Sequence, residues 1–286
     1  MTIASLDRLG AGVHDIDERA YHADPVTGGS LSSTGARTLV QPAGPARFRW
    51  EQDHPAPPKR EWELGHAAHK LVLGVGPEFQ IIDAPDYRTR KAQQARNAAY
   101  DAGLVPLLTR EHDQVQAMAD AIRQHPVASA LFNPARGAAE QTLIWQDPET
   151  GVWRRARPDW LPHLYNGRLI LGDYKTTTNA AREAIRKTIA NFRYHQQQAW
   201  YVDGVRDLGL AQDVAFIFIF QEKHAPFLIH IVQLDNAAED SGREENRRAL
   251  RLYAHCAATG VWPGYNPEIT LIDLPPWATT YPEECM

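Results

Sequence analysis

Cysteine is scarce in this chain: two in 286 residues, Cys256 and Cys285. Two thiols are too few for a disulfide framework, a four-cysteine zinc site or an iron–sulfur cluster, and the shortage fits a reducing cytoplasm. Long apolar runs are missing as well. The longest, residues 214–220, falls far short of a bilayer span. The opening MTIASLDRLG lacks the basic-then-apolar order of a secretory signal. A cytoplasmic protein without membrane contact is expected. There is no basic excess either: 30 Lys and Arg face 35 Asp and Glu, a formal net charge of −5. That balance argues against indiscriminate binding of polyanions, although local clusters matter more than the sum. Internal repeats and extended low-complexity tracts are also absent.

What the chain has is 43% hydrophobic and 23% charged residues, ample for one buried core with a helical annex. Gly, Pro and Ser are concentrated near the start, in GGSLSSTG at 28–35 and HPAPPK at 54–59. They predict a loop-rich segment over 1–60 with one short helix, 33–39, capped by Ser32 or Ser33. Residues 61–286 read as a single domain. Its helical part, 61–135, carries helices at 62–73, 89–102 and 110–124, the last stopped by Pro126. Strands follow at 140–146, 152–159 and 168–176, with Asn166–Gly167 as a tight turn. Helices are expected at 179–190 and 194–208, strands at 214–221 and 227–233, and a charged helix at 237–259. A Pro-rich tail occupies 263–286. This order describes an α/β fold: a central mixed sheet flanked by helices, with an N-terminal helical annex.

Chemistry concentrates in two short stretches, Arg157-Pro158-Asp159 and Gly172-Asp173-Tyr174-Lys175. Residues two apart on a strand share a face, so Asp173 and Lys175 are neighbours. Asp159 ends the preceding strand, and an antiparallel pairing brings its carboxylate beside Asp173. A bare Asp-x-Lys is commonplace and is usually a surface ion pair. Here it follows the apolar run Leu169-Ile170-Leu171 and lies downstream of a Pro-Asp, which favours a site. Two converging carboxylates repel unless a cation lies between them. Hard oxygen ligands with open positions suit Mg²⁺, with Mn²⁺ as a substitute. Lys175 would then orient or deprotonate a water and stabilise charge developing on phosphorus.

Together these motifs resemble the PD-(D/E)xK nuclease signature. The flanking segments narrow the resemblance to the exodeoxyribonuclease VIII type within the RecB-like branch. They are Tyr21-His22-Ala23-Asp24, Leu31-Ser32-Ser33-Thr34-Gly35, Gly65-His66-Ala67-Ala68-His69, Asp173-Tyr174-Lys175-Thr176-Thr177, and Tyr194-His195-Gln196-Gln197 with Tyr201 and Asp203-Gly204. The resemblance implies a restriction-endonuclease-like core. It implies His69, Asp159, Asp173 and the Tyr174 main-chain carbonyl as metal ligands, and Lys175 as the catalytic lysine. It also places Gln197 and Tyr201 on a helix facing the site, with Glu140 a looser match to a carboxylate on the first core strand. By itself His66 reads as a core histidine, and Glu140 as structural or solvent-facing.

The activity so implied is a Mg²⁺-dependent exonuclease that degrades one strand of duplex DNA from a 5′ end. Its 3′ tails would pass to a single-strand annealing protein for recombination or repair. A RecB-like or Cas4-like endonuclease and a catalytically silent DNA-binding module are the alternatives on the same fold. Arg154, Arg155 and Arg157, beside the proposed site, are expected to touch DNA, as are Thr176 and Thr177. Further basic clusters lie at Arg182, Arg186, Lys187 and Arg193, and at Arg243, Arg247, Arg248 and Arg251. Tyr87, Trp145 and Trp153 belong either to the core or to a base-stacking surface, with the core favoured. The resemblance also implies a homo-oligomer, a tetrameric ring whose passage the Arg154–Arg157 cluster would line.

Overall fold

The computed structural model describes residues 9–54, 60–164 and 167–278. The chain enters through β1 (Gly12–His14), α1 (Glu18–His22), β2 (Leu31–Ser32), α2 (Ser33–Leu39), α3 (Gly44–Asp53) and α4 (Arg60–Leu73). β3 (Phe79–Ile82), α5 (Arg90–Asp101), β4 (Val105–Leu108), α6 (Thr109–Gln124) and α7 (Pro126–Leu131) follow. The second half comprises β5 (Gly137–Ala139), β6 (Thr142–Gln146), β7 (Trp153–Ala156), β8 (Trp160–Pro162) and β9 (Arg168–Thr177). It ends with α8 (Arg182–Phe192), α9 (Tyr194–Asp207), β10 (Asp213–Glu222), β11 (Ile229–Val232) and α10 (Asn236–Thr259). Local chemistry sets many of these boundaries. Asp17, Ser32, Thr89 and Asp235 each accept a backbone N–H in the first turn of the helix they precede. Pro126 stops α6 and opens α7, and Gly260, at φ 73°, closes α10.

The central sheet has the order β11-β10-β9-β8-β5. β9 and β10 run parallel, in register from Arg168↔Asp213 to Thr177↔Glu222, and the other pairs are antiparallel. A parallel pair needs a crossover, and α8 and α9 supply it. The alternation along β9 sorts its side chains between two apolar clusters. Leu169 and Leu171 join Phe216, Phe218 and Phe220 of β10 and Trp200, Val202 and Val205 of α9. Tyr174 and Ile219 join Ala67 and Ala68 of α4 and Val115, Met118 and Ile122 of α6. α10 lies against α9 at Gly242, where a Cβ would fall 2.2 Å from the His195 carbonyl oxygen. Only glycine permits that approach.

The expected α/β core with its flanking helices and helical annex is present. Three details differ. Residues 9–54 are not loop-rich: β1 pairs with β6 and β2 with β7, completing a second, four-stranded sheet. Short elements between Gly and Pro leave too little periodicity to read. The helical part also holds a parallel strand pair, β3 with β4. Finally, the strand expected at 152–159 ends at Ala156, and a separate strand in the other sheet starts at Trp160. β7 pairs with β6, whereas β8 pairs with β5 and β9. The break falls at Arg157-Pro158-Asp159, where proline has no N–H to continue a ladder, and so Asp159 stands at a corner between sheets. The Asn166–Gly167 turn, most of the HPAPPK stretch and Cys285 involve residues outside those described. Among the described residues no helix is long and apolar enough to cross a membrane.

Candidate active site

The corner at Asp159 and the exit end of β9 meet. Trp160 is paired with Gly172 across β8 and β9, so Asp159 is carried to the Asp173–Tyr174 peptide. Its Oδ2 accepts the Tyr174 N–H at 2.7 Å and a contact from His69 Nε2 at 2.8 Å. His69 comes from α4, and its Nδ1 lies 3.4 Å from Glu140 Oε1. Glu140 in turn accepts from the Arg157 guanidinium at 2.9 and 3.2 Å. On the neighbouring β9 position, Asp173 is fully buried. Its Oδ2 accepts from Gln197 Nε2 of α9 at 2.8 Å, and its Oδ1 is in close ion contact with the Lys175 ammonium. The site is therefore one chain of polar contacts: Arg157, Glu140, His69, Asp159, the β9 backbone, then Lys175, Asp173 and Gln197.

Burial disfavours every charged form here, and the pairings decide the outcome. Burial pushes the Asp173 carboxyl up, the Asp159 charge adds to it, and Lys175 recovers only part, leaving it at about 6. Burial also pushes Asp159 up, but His69, Lys175 and the Tyr174 N–H outweigh it and hold that carboxyl below the usual range. For His69, burial pulls the imidazolium down while Asp159 and Glu140 more than compensate, raising it to about 10. Lys175 is pulled down by burial, and Asp173 and Asp159 override that to keep it firmly protonated. In this arrangement Lys175 is an ammonium, suited to stabilising negative charge.

Asp159, Asp173, Lys175, His69 and Gln197 are thus brought together as the sequence suggested. Tyr201 lines the small cleft beside Asp159, where its hydroxyl donates to the Arg157 carbonyl at 3.3 Å and holds the segment entering Asp159. Glu140 is no bystander. It follows β5 with a left-handed φ of 49° and holds both His69 and Arg157, a link across elements that no local motif announces. The three arginines require correction, because all are turned inward. Arg154, 3% exposed, lies over the Trp145 and Trp200 rings, which meet edge to face beside it, and faces Asp147, Asp203 and Asp207 at 3.7–3.9 Å. Arg155, 6% exposed, donates to the Ser30 carbonyl and hydroxyl and pairs with Asp24 at 2.7 Å. Arg157 is committed to Glu140, the Ile16 carbonyl and Thr142. Arg155 and Arg157 brace the N-terminal segments against β7, and Arg154 braces α9 against it. Arg154 and Arg155 are too buried to present a DNA-binding surface, and Arg157 reaches the small cleft beside Asp159. Trp145 belongs to the core.

Two clefts flank the His69–Asp159 contact. One, of about 580 Å³, is lined by His69, Tyr174, Lys175, Thr176–Thr178 and the α8 end. The other, about 180 Å³, opens beside Glu140, Asp159 and Tyr201. A larger, mainly apolar cavity of about 690 Å³ lies at the opposite end of β9, near Arg168 and Ile170; Asp159, Asp173, His69 and Lys175 do not line it. The residues at the site fit a divalent cation. Asp173 Oδ1 is buried, accepts no regular hydrogen bond among the described residues, and faces the Lys175 ammonium. Asp159 and Asp173 supply hard oxygens side by side. Among the described residues no group of three or more His, Cys, Asp or Glu side chains is placed to hold a metal ion. Mg²⁺ characteristically needs no such group, because it keeps several waters and takes one or two carboxylates.

Comparison with known proteins gives a consistent picture. Residues 65–275 match the PDDEXK-like domain of unknown function (DUF3799). No curated protein matches. Among solved structures, a crystal structure from Eubacterium rectale described as a "Putative exonuclease" superposes with a TM-score of 0.60 at 10% identity. The alignment covers 86% of this chain and 88% of that one. A second, SSO0001, has 15% identity and a TM-score of 0.29 over 71% of this chain and 95% of its own. That similarity is too low to bear on the fold.

Proposed function

The chain belongs to the PDDEXK-like family DUF3799, and from that membership and the site geometry we propose a Mg²⁺-dependent deoxyribonuclease acting as an exonuclease on duplex DNA ends. The observation that carries this reading is the convergence of Asp159, at the sheet-to-sheet corner, on the Asp173–Lys175 strand end. Asp159 and Asp173 would hold the cation, with the Tyr174 carbonyl and, once it has given up its proton, His69 as further donors. When bound, a divalent cation supplies positive charge at the phosphate and lowers the pKa of water there.

The protein's own groups have separable tasks. The Lys175 ammonium neutralises charge growing on the phosphoryl oxygens. Gln197 aims Asp173, and the Arg157–Glu140–His69 relay aims Asp159. Thr176 and Thr177, on the cleft wall beside Lys175, offer hydroxyls to backbone phosphates. The proposed polarity is 5′ to 3′, giving 3′ tails that a single-strand annealing protein would receive. A homo-oligomer is part of the proposal, since enclosure keeps an acidic protein on DNA, but its lining would have to come from residues other than Arg154, Arg155 and Arg157.

The test is time-resolved digestion of a linear duplex labelled separately at each 5′ and 3′ end, with Mg²⁺ and with EDTA. Progressive, Mg²⁺-dependent loss from 5′ ends is expected. Nicking of closed circles would replace the exonuclease by an endonuclease, and binding without cleavage would replace both by a silent module.

A further inference from the structure

An aromatic stack leads from the core into the cleft that holds Lys175. Phe218 of β10 is fully buried. The Tyr194 ring stacks on it at 5.7 Å and 25°, and the Phe192 ring stacks on Tyr194 at 5.7 Å and 18°. The outermost ring, Phe192, is 60% exposed and lines the same cleft as His69 and Lys175. The Lys175 ammonium sits 5.1 Å from the Tyr194 ring centroid, so stack and lysine form one unit.

A single exposed phenylalanine ordinarily means nothing. This one is held rigidly. α8 ends at Phe192, and Arg193 adopts a left-handed φ of 52°, allowing α9 to begin at the next residue. That abrupt turn lays the 192 and 194 rings on one another. Arg37 Nη1 donates to the Phe192 carbonyl at 2.8 Å and pins the main chain. Beyond this stack the cleft is lined by different chemistry: the hydroxyls of Thr176, Thr177 and Thr178 and the Lys223 side chain. An aromatic face beside hydroxyls and an ammonium matches the two halves of a nucleotide, its base and its phosphate.

We propose that Phe192, backed by Tyr194, is a platform that stacks an unpaired nucleobase and so sets which phosphate lies at Lys175. The inference rests on the nuclease reading and extends it. A base inside a duplex has both faces covered, so this platform is open only to a base at a strand end or one freed from its partner. In the proposal the strand entering the cleft is single-stranded or frayed at its end. Phe192 acts as a binding and positioning residue and takes no part in the chemistry.

The experiment uses the full chain with Lys175→Ala to prevent cleavage, and DNA carrying 2-aminopurine at a terminal nucleotide. Binding should change the fluorescence of a terminal probe on a single-stranded end. Phe192→Ala and Phe192→Leu should remove that change and weaken binding by about 5- to 100-fold, whereas Phe192→Trp should preserve it. In the active protein, Phe192→Ala should raise KM more for blunt than for frayed ends. DNA bound and cut by both variants as by the parent, with the probe signal intact, would overturn the platform and leave the nuclease standing. A parent chain that neither binds nor cuts DNA would overturn both.

Discussion

Gln197 Nε2 donates to Asp173 Oδ2 at 2.8 Å, tying α9 to the strand end that carries the carboxylates. The bond fixes the orientation of a fully buried carboxylate. Gln197→Ala should keep the fold and lower kcat by about 10- to 100-fold with little change in KM, as when supporting partners of metal ligands are lost. Steady-state kinetics on an end-labelled duplex checks this. A variant with unchanged kcat would reduce Gln197 to packing.

Asp159→Asn and Asp173→Asn should each abolish cleavage and Mn²⁺ binding. His69→Ala should weaken Mn²⁺ by about 10- to 100-fold, because His69 meets Asp159 at 2.8 Å. Calorimetry on the three folded variants measures it. Parental Mn²⁺ affinity in His69→Ala would remove the histidine from the cation site.

Arg154→Ala should cost about 3–5 kcal/mol, because it strands the carboxylates gathered around a buried guanidinium. The partners are Asp147, Asp203 and Asp207, with the Trp145 and Trp200 rings in contact beside it. Thermal unfolding should move down by on the order of 10 °C. A variant that melts like the parent but loses DNA affinity would restore the arginine to a DNA-contacting role.

Acid should loosen the α9–α10 contact. Burial pushes the Glu239 carboxyl up, but Arg243 and Gln198, with Arg206 behind them, outweigh it and hold it below its ordinary value. A depressed folded-state pKa means the stabilisation is complete above the ordinary carboxylate value and is lost as pH falls through the folded one. Glu239 is partly exposed, so the effect is about 1 kcal/mol or less. Urea titrations between neutral pH and pH 3 should show a shallower acid slope for Glu239→Gln. Identical slopes would contradict the assignment.

How much of this was readable in advance depended on how local each signal is. The apolar run before Asp173, the alternation that puts Lys175 beside it and the Ser32 cap of α2 are all local, and each was legible. Pro158 marked the carboxylate, although its larger effect, moving the chain from one sheet to another, was not apparent. The arginines misled because a charge run looks alike on a surface and in a buried network; Asp203 and Asp207 lie some fifty residues from Arg154. Phe192 could not be singled out, since its stacking on Tyr194 depends on the left-handed turn at Arg193. Glu140 was undervalued because its partners His69 and Arg157 come from separate elements.

The central claim is that Asp159, Asp173 and Lys175 form one metal-dependent phosphodiesterase centre. Its most direct test is single-turnover cleavage of an end-labelled linear duplex by the parent and by Lys175→Ala, each with Mg²⁺ and with EDTA. The account predicts Mg²⁺-dependent cleavage by the parent, none in EDTA, and a rate lower by ~10²–10⁴ in a folded Lys175→Ala that still binds Mn²⁺. Cleavage that persists in EDTA, or a folded Lys175→Ala with the parental rate, would contradict it.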